Sequence, residues 1–250
     1  MPAGRIADNR NRIRDIYGFF VGIDQYQDPS IASLMGCVRD AESMLSAFNP
    51  HHKEIMLNKE ATRKNILGVI QAYVKNLKTR DLLIFSVSAH GAIVNSDFSI
   101  VTYDTQQDNL LGTVLPTYYA LTALSEITKN GGRVLIILDT CHAGAINFDI
   151  GKYSGILSEG GMSCLNSSGP NEQSYEATFK TESGDVQQGV FTRHLIDGLN
   201  GKADHDGLRI ITLRDLYDYI YGKVSSTHRQ HPVLIGTLEG NTILKAFGKG

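Results

Sequence analysis

The sequence predicts an α/β protein whose mostly parallel sheet carries helices on both faces. Three observations lead there. Strand and helix signals alternate along the chain, as they do in folds that bury a sheet between helical layers. The strongest apolar runs, Ile16 to Ile23, DLLIFSVSAHG at 81–91 and RVLIILDTCHAG at 133–144, are almost continuous rather than alternating, the pattern of strands covered on both sides. Finally, 250 residues of which 42% are apolar suffice for the core of one large domain, placed here at 16–246.

The elements follow in order. After the first strand, Pro29 and Ser30 mark a loop, and a helical pattern runs from about Cys37 to Phe48. Thr62 reads as the N-cap of a helix to Leu77, with Ile66, Leu67, Ile70, Tyr73 and Val74 on one face. The second apolar run closes at Gly91, and DFSIVTYD alternates like a strand. Pro116 suits the first turn of a helix that reaches Lys129 before Gly131 and Gly132 break it. The third run follows, then a Gly/Ser-rich loop at 145–161; long loops of this kind are commonly functional. GMSCLNSS reads as a strand, GVFTRHLIDGL as a helix, Thr212 as the cap of the helix in TLRDLYDYIYGKV, and HPVLIG as the last strand. Residues 1–15, with Arg5, Arg10, Arg12 and Arg14 among Asp8 and Asp15, read as a basic, partly disordered arm.

Composition narrows the function classes. The formal net charge is −2, which gives no reason to expect nucleic acid or an anionic membrane as partner. No apolar run approaches the roughly 20 residues that cross a bilayer, and the N-terminus lacks the apolar stretch of a secretory signal. Three well-separated cysteines, Cys37, Cys141 and Cys164, form no CxxC pair and suit a reducing compartment, so a cytoplasmic location is expected. No GxxxxGK[ST] or GxSxG motif occurs.

Chemistry concentrates where parallel sheets place it, beyond the carboxyl ends of the strands. His90 lies at the end of the second run and Cys141 just beyond the apolar part of the third. A thiol beside an imidazole becomes nucleophilic near neutral pH. His142 adjoins Cys141, but neighbours in extended backbone point to opposite faces, which leaves His90 as the base. The backbone N–H groups of Gly91 and Cys141 are candidates for an oxyanion hole, where one donor contributes about 3–4 kcal/mol.

These residues resemble the caspase/metacaspase family of cysteine peptidases, in its bacterial metacaspase-like branch. SAHG resembles the family's histidine motif and ILDTCHAG its nucleophile motif, and Cys141 follows His90 by 51 residues, close to the family's spacing of about 50. FFVGIDQYQDPSIASLMGCVRDAESML, IVTYDTQQDNLLGTVLP, NSSGPNEQSYE and GVFTRHLIDGL extend the resemblance over roughly residues 16–240. Ala89 and Ala143 depart from a usual Gly and Ser. The resemblance implies a three-layer sandwich with a six-stranded central sheet, divided into a large-subunit-like part at 16–150 and a small-subunit-like part at 162–246. It implies a polypeptide substrate, attack by the Cys141 thiol, an acyl-enzyme, and hydrolysis with His90 moving the proton. Settings in cell death or antiviral defence belong to the same family-level expectation.

Asp139 and Asp40 match positions at which metacaspases carry acids and cleave after Arg or Lys; carboxylates in a pocket favour a cationic side chain. Asp40 is equally suited to stabilising a helix N-terminus, and Arg39 is placed to neutralise it. If the substrate residue is basic, Lys152 is a candidate self-cleavage site. ADHDGLR at 203–209 lacks the ligand spacing of a calcium loop and reads as a turn; no cofactor is required, and calcium is left open. His51, His52, His228 and His231 read as surface residues, and Cys37 and Cys164 as packing residues. An activating ligand or protein partner is expected, since no recruitment domain is recognisable. The competing readings are a weakened pseudo-peptidase serving as a binding module and another Cys/His peptidase of the same clan.

Overall fold

The structure, a computed structural model, describes residues 13–95, 97–141, 155–158, 160–169, 172–181 and 184–247. Among them, six strands form the central sheet in the order β11-β7-β6-β3-β1-β2. These are β1 (Ile16–Gly22), β2 (His52–Leu57), β3 (Leu82–Val94), β6 (Arg133–Cys141), β7 (Met162–Asn166) and β11 (Val233–Gly236). All neighbours pair parallel except β11, which runs antiparallel to β7. The expected mostly parallel, helix-covered sheet is therefore the observed one.

Side-chain parity divides the sheet into two cores. Phe19, Val21, Leu83, Phe85, Val87, Val134, Ile136 and Leu138 face α2 (Arg63–Asn76) and α4 (Thr117–Lys129). Phe20, Leu82, Ile84, Leu135 and Ile137 face the other way, against α1 (Cys37–Phe48), α6 (Val190–Asp197) and α7 (Leu213–Thr227). By the same parity, residues 88 and 90 of β3, and 139 of β6, take positions on the α1/α6 side, at the carboxyl ends of the two central strands.

Helix boundaries follow local chemistry. The Thr62 hydroxyl accepts from the Asn65 N–H and starts α2, and Thr212 with Asp215 forms a capping box on α7. Helix α1 has no such cap of its own. Asp24, from the loop after β1, accepts from the Cys37 and Val38 N–H groups at 2.8 and 3.2 Å and holds the helix start against the sheet.

The structure corrects several sequence expectations. Strand β3 does not close at Gly91. It runs on to Val94 and turns near Asn95 (φ 50°) to pair antiparallel with β4 (Asp97–Ile100). The DFSIVTYD strand is correspondingly short, because Thr102 and Thr105 fold the chain into a turn. A single turn, α3 (Leu110–Thr113), and β5 (Leu115–Pro116) precede α4. Besides β5, five strands are not predicted from the sequence. Edge strand β2 reads HKEIML and is half exposed, the charged, short edge that avoids pairing with other chains. The β8 (Glu176–Thr181) and β9 (Gly184–Gly189) hairpin is polar, and β10 (Ile210–Thr212) and β12 (Ile243–Ala246) are only three and four residues long. None has enough apolar periodicity to be read locally.

Most of the 145–161 loop lies outside the described residues, as do Ala143, His142 and Lys152; the described end of the loop carries a helical turn, α5, at 155–157. Of the N-terminal arm, residues 1–12 lie outside the described residues, and the described remainder is docked. Arg14 Nε and Nη2 donate to Asp81 Oδ1 and Oδ2 at 2.8 and 2.6 Å, and the Lys78 N–H donates to the same carboxylate. Asp81 is fully buried. Arg14→Ala leaves that carboxylate without its cation, the costly half of breaking a buried pair. It is expected to lower the melting temperature by several degrees in differential scanning fluorimetry, with the exposed Arg39→Ala as an unchanged control.

Candidate active site

The parallel register of β3 and β6 runs from Leu82↔Arg133 to its last rung at His90↔Cys141. The two residues singled out from sequence are therefore register partners on adjacent strands. Below them, Ser88 pairs with Asp139, and α1 brings Asp40 to the same face.

His90 is held on three sides by described residues. Its Nε2 lies 2.9 Å from the Ala32 carbonyl; a carbonyl only accepts, so Nε2 carries the hydrogen and the neutral ring keeps its lone pair on Nδ1. The imidazole stacks on Tyr26, with ring centroids 5.4 Å apart and planes at 27°. The His90 backbone N–H donates to the Tyr26 hydroxyl at 3.0 Å, and the His90 carbonyl accepts from the Val101 N–H at 3.0 Å. Both groups point towards β1 and β4, so by strand alternation the Gly91 N–H points towards β6. It sits at the last rung of the ladder and can serve an oxyanion only where that rung opens.

Asp40 and Asp139 are almost wholly buried, at 1% and 3% exposure. Asp40 Oδ2 accepts from the Ser88 hydroxyl at 3.0 Å, and Asp139 Oδ2 from the Thr192 hydroxyl at 2.6 Å. Their Oδ1 atoms are buried and accept no hydrogen bond from the described residues. A β-carbon built on Gly189 would lie 2.5 Å from Asp139 Oδ2 and 3.2 Å from Asp40 Oδ2, so both carboxylates converge on one backbone position. Burial, reinforced by the charge of Asp139, drives the Asp40 carboxyl well above its ordinary range. Burial likewise pushes Asp139 from 3.8 to about 6, the hydroxyl of Thr192 pulling the other way and the charge of Glu176 adding to the rise.

Asp40 lies in the first turn of α1 without capping it. Asp24 caps α1, while the Asp40 carboxylate turns into the sheet end and Arg39 stays exposed. Sequence reasoning missed Ser88, Thr192, Gly189 and Glu176. Ser88 was the one with a signal, a hydroxyl inside an otherwise apolar buried strand. Glycine at 189 is required by close approach, and Gly189→Ala is expected to force β9 off the carboxylates. The readout is a lower melting temperature.

The other sequence candidates resolve into structural roles. Cys164 is packed in the α2/α4 core, where burial pushes its thiol up to about 12; Cys37 is buried beside Leu34. His231 pairs with Glu172 at 2.5 Å and His52 stacks on Tyr17. ADHDGLR folds as a turn in which Asp204 and Asp206 accept from the backbone N–H groups of Arg209 and Leu208. No group of three His, Cys, Asp or Glu among the described residues is placed to hold a metal. Two cavities among the described residues lie elsewhere, about 590 Å³ between 27–30 and 104–108 and about 400 Å³ beside β4 and α4.

A parallel sheet with His and Cys as terminal register partners, above two buried carboxylates, is the framework of a cysteine-peptidase-type domain. The chain belongs to the caspase domain family, whose model matches residues 18–242; the family acts on polypeptides. The fold is shared with the crystal structure of protein GSU0716 from Geobacter sulfurreducens, 17% identical, with a TM-score of 0.67 over 90% of this chain and 94% of that one. No curated protein matches the sequence. No described helix is long and apolar enough to cross a membrane.

Proposed function

We propose that the protein is a cysteine endopeptidase that cleaves after Arg or Lys through a Cys141/His90 dyad. The observation that carries this reading is the terminal rung His90↔Cys141 above the convergent Asp40 and Asp139. His90, oriented by the Ala32 carbonyl, takes the thiol proton through Nδ1; the Cys141 sulfur attacks the scissile carbonyl, and the N–H groups of Gly91 and Cys141 stabilise the oxyanion. His90 then protonates the leaving amine and activates the water that hydrolyses the acyl-enzyme.

Basic specificity rests on the two orphaned Oδ1 atoms. A guanidinium or ammonium in the recess supplies the donors and positive charge that these buried carboxylates lack. A substrate side chain reaches them only after the chain at Gln188 and Gly189 yields. That closure, and the rung that holds the oxyanion donors in the sheet, favour a resting state released by a ligand, a protein partner or processing. Calcium remains a candidate for that signal, and Lys152 a candidate self-cleavage site.

The test is turnover of fluorogenic peptides with Arg, Lys, citrulline or Asp before the scissile bond, by wild type and Cys141→Ala, with and without calcium. Turnover of Arg and Lys peptides by wild type alone supports the reading. Exclusive turnover of Asp peptides overturns the specificity, and turnover that survives Cys141→Ala overturns the dyad. The altered Ala89 favours the weakened binding module as second reading; it predicts that Cys141 is alkylated no faster than Cys37.

A further inference from the structure

We infer that Tyr26 is a positioning residue for the catalytic histidine, an inference that rests on the Cys141/His90 reading and deepens it. Tyr26 lies in the loop after β1 and touches His90 twice. Its hydroxyl accepts the His90 backbone N–H at 3.0 Å, and its ring stacks on the imidazole. The same hydroxyl donates to the Ile23 carbonyl at 3.4 Å, which ties the contact to the end of β1.

Geometry gives this residue a use beyond packing. His90 is where β3 leaves the ladder of β6 and joins β4, so its backbone N–H has no strand to bond on the β1 side. Strand β1 ends at its Gly22↔Ser88 rung, and the Ile23 N–H makes the last bond across, to the Ser88 carbonyl. Tyr26 fills the next position with a side-chain oxygen. Its ring then restricts rotation of the imidazole, while the Ala32 carbonyl, from the same loop, fixes the ring edge through Nε2. One loop thereby sets both the backbone and the ring of the base.

The loop is itself anchored at points remote from His90. The Asp24 carboxylate caps α1, the Asp24 N–H donates to Asn58 Oδ1, and the Gln27 N–H donates to the Tyr103 carbonyl. A side chain mounted on this braced loop holds a base to the tolerance that proton transfer demands, where small displacements are costly.

The test uses the full chain, with Tyr26→Leu removing ring and hydroxyl and Tyr26→Phe removing the hydroxyl alone. Tyr26→Leu is expected to lower kcat on an Arg peptide about tenfold, a part of the roughly 10²–10⁴-fold that a positioned acid–base contributes, with KM unchanged. It is expected to slow iodoacetamide modification of Cys141 by a similar factor, read by mass spectrometry, and Tyr26→Phe should fall between it and wild type. A kcat equal to wild type overturns the inference, as does a loss that tracks the unfolded fraction or moves KM equally. His90→Ala separates the two layers. If it slows modification and Tyr26→Leu does not, only the role of Tyr26 falls; if His90→Ala changes nothing, the dyad itself falls.

Discussion

Cys141→Ala is expected to abolish peptide turnover, lowering kcat on the order of 10⁴-fold or more, because no second thiol stands at the end of the central strands among the described residues. Thr140, the neighbour, pairs with Ala89 and faces the opposite core, and Cys164 is packed with its thiol pushed up to about 12. His90→Ala should cost nearly as much, and the double variant no more than either single one, since nucleophile and base act as one unit. The measurement is active-site-normalised turnover, with Cys141 modification as a second readout for the base. Additive losses would separate the two residues and end the dyad.

Asp139→Asn should do two opposite things. It should lower kcat/KM for Arg peptides by roughly 100-fold or more, the cost of removing one member of a buried charge pair, and collapse the preference for Arg over citrulline. It should also stabilise the protein at high pH. Asp139 ionises at about 6 in the folded chain, against an ordinary 3.8, so the folded state holds its proton more tightly than the unfolded state. Its contribution is therefore fully present below 3.8 and is lost as pH rises through about 6. That difference corresponds to roughly 3 kcal/mol of disfavoured ionisation, so Asp139→Asn should raise the melting temperature by several degrees at pH 8 and leave it unchanged near pH 4. Wild-type turnover of Arg peptides should rise as pH passes about 6, because only the ionised carboxylate attracts the cation, and the variant should lose that limb. A carboxylate kept for stability alone would show the reverse sign at pH 8. A site that costs stability and gains activity is the usual signature of function.

Much of the fold was legible because the deciding signals were local and strong. The runs at β1, β3 and β6 are nearly all apolar, so their burial follows from composition, and parallel pairing follows from the helices between them. His90 and Cys141 were legible for a related reason, since polar, reactive groups at the ends of apolar strands stand out. The polar hairpin β8–β9 and the edge strand β2 carried no such contrast; their pairing depends on neighbours distant in sequence.

By itself, then, the sequence determined the class of sheet and the two central strands that end in His90 and Cys141, because apolar continuity is a property of short segments. Tertiary structure alone decided that the Asp40 carboxylate meets Ser88 at the sheet end, that Gly189 packs against two carboxylates, and that Tyr26 contacts His90. Each of these is a contact between segments far apart in the chain, and only packing fixes which groups are desolvated together.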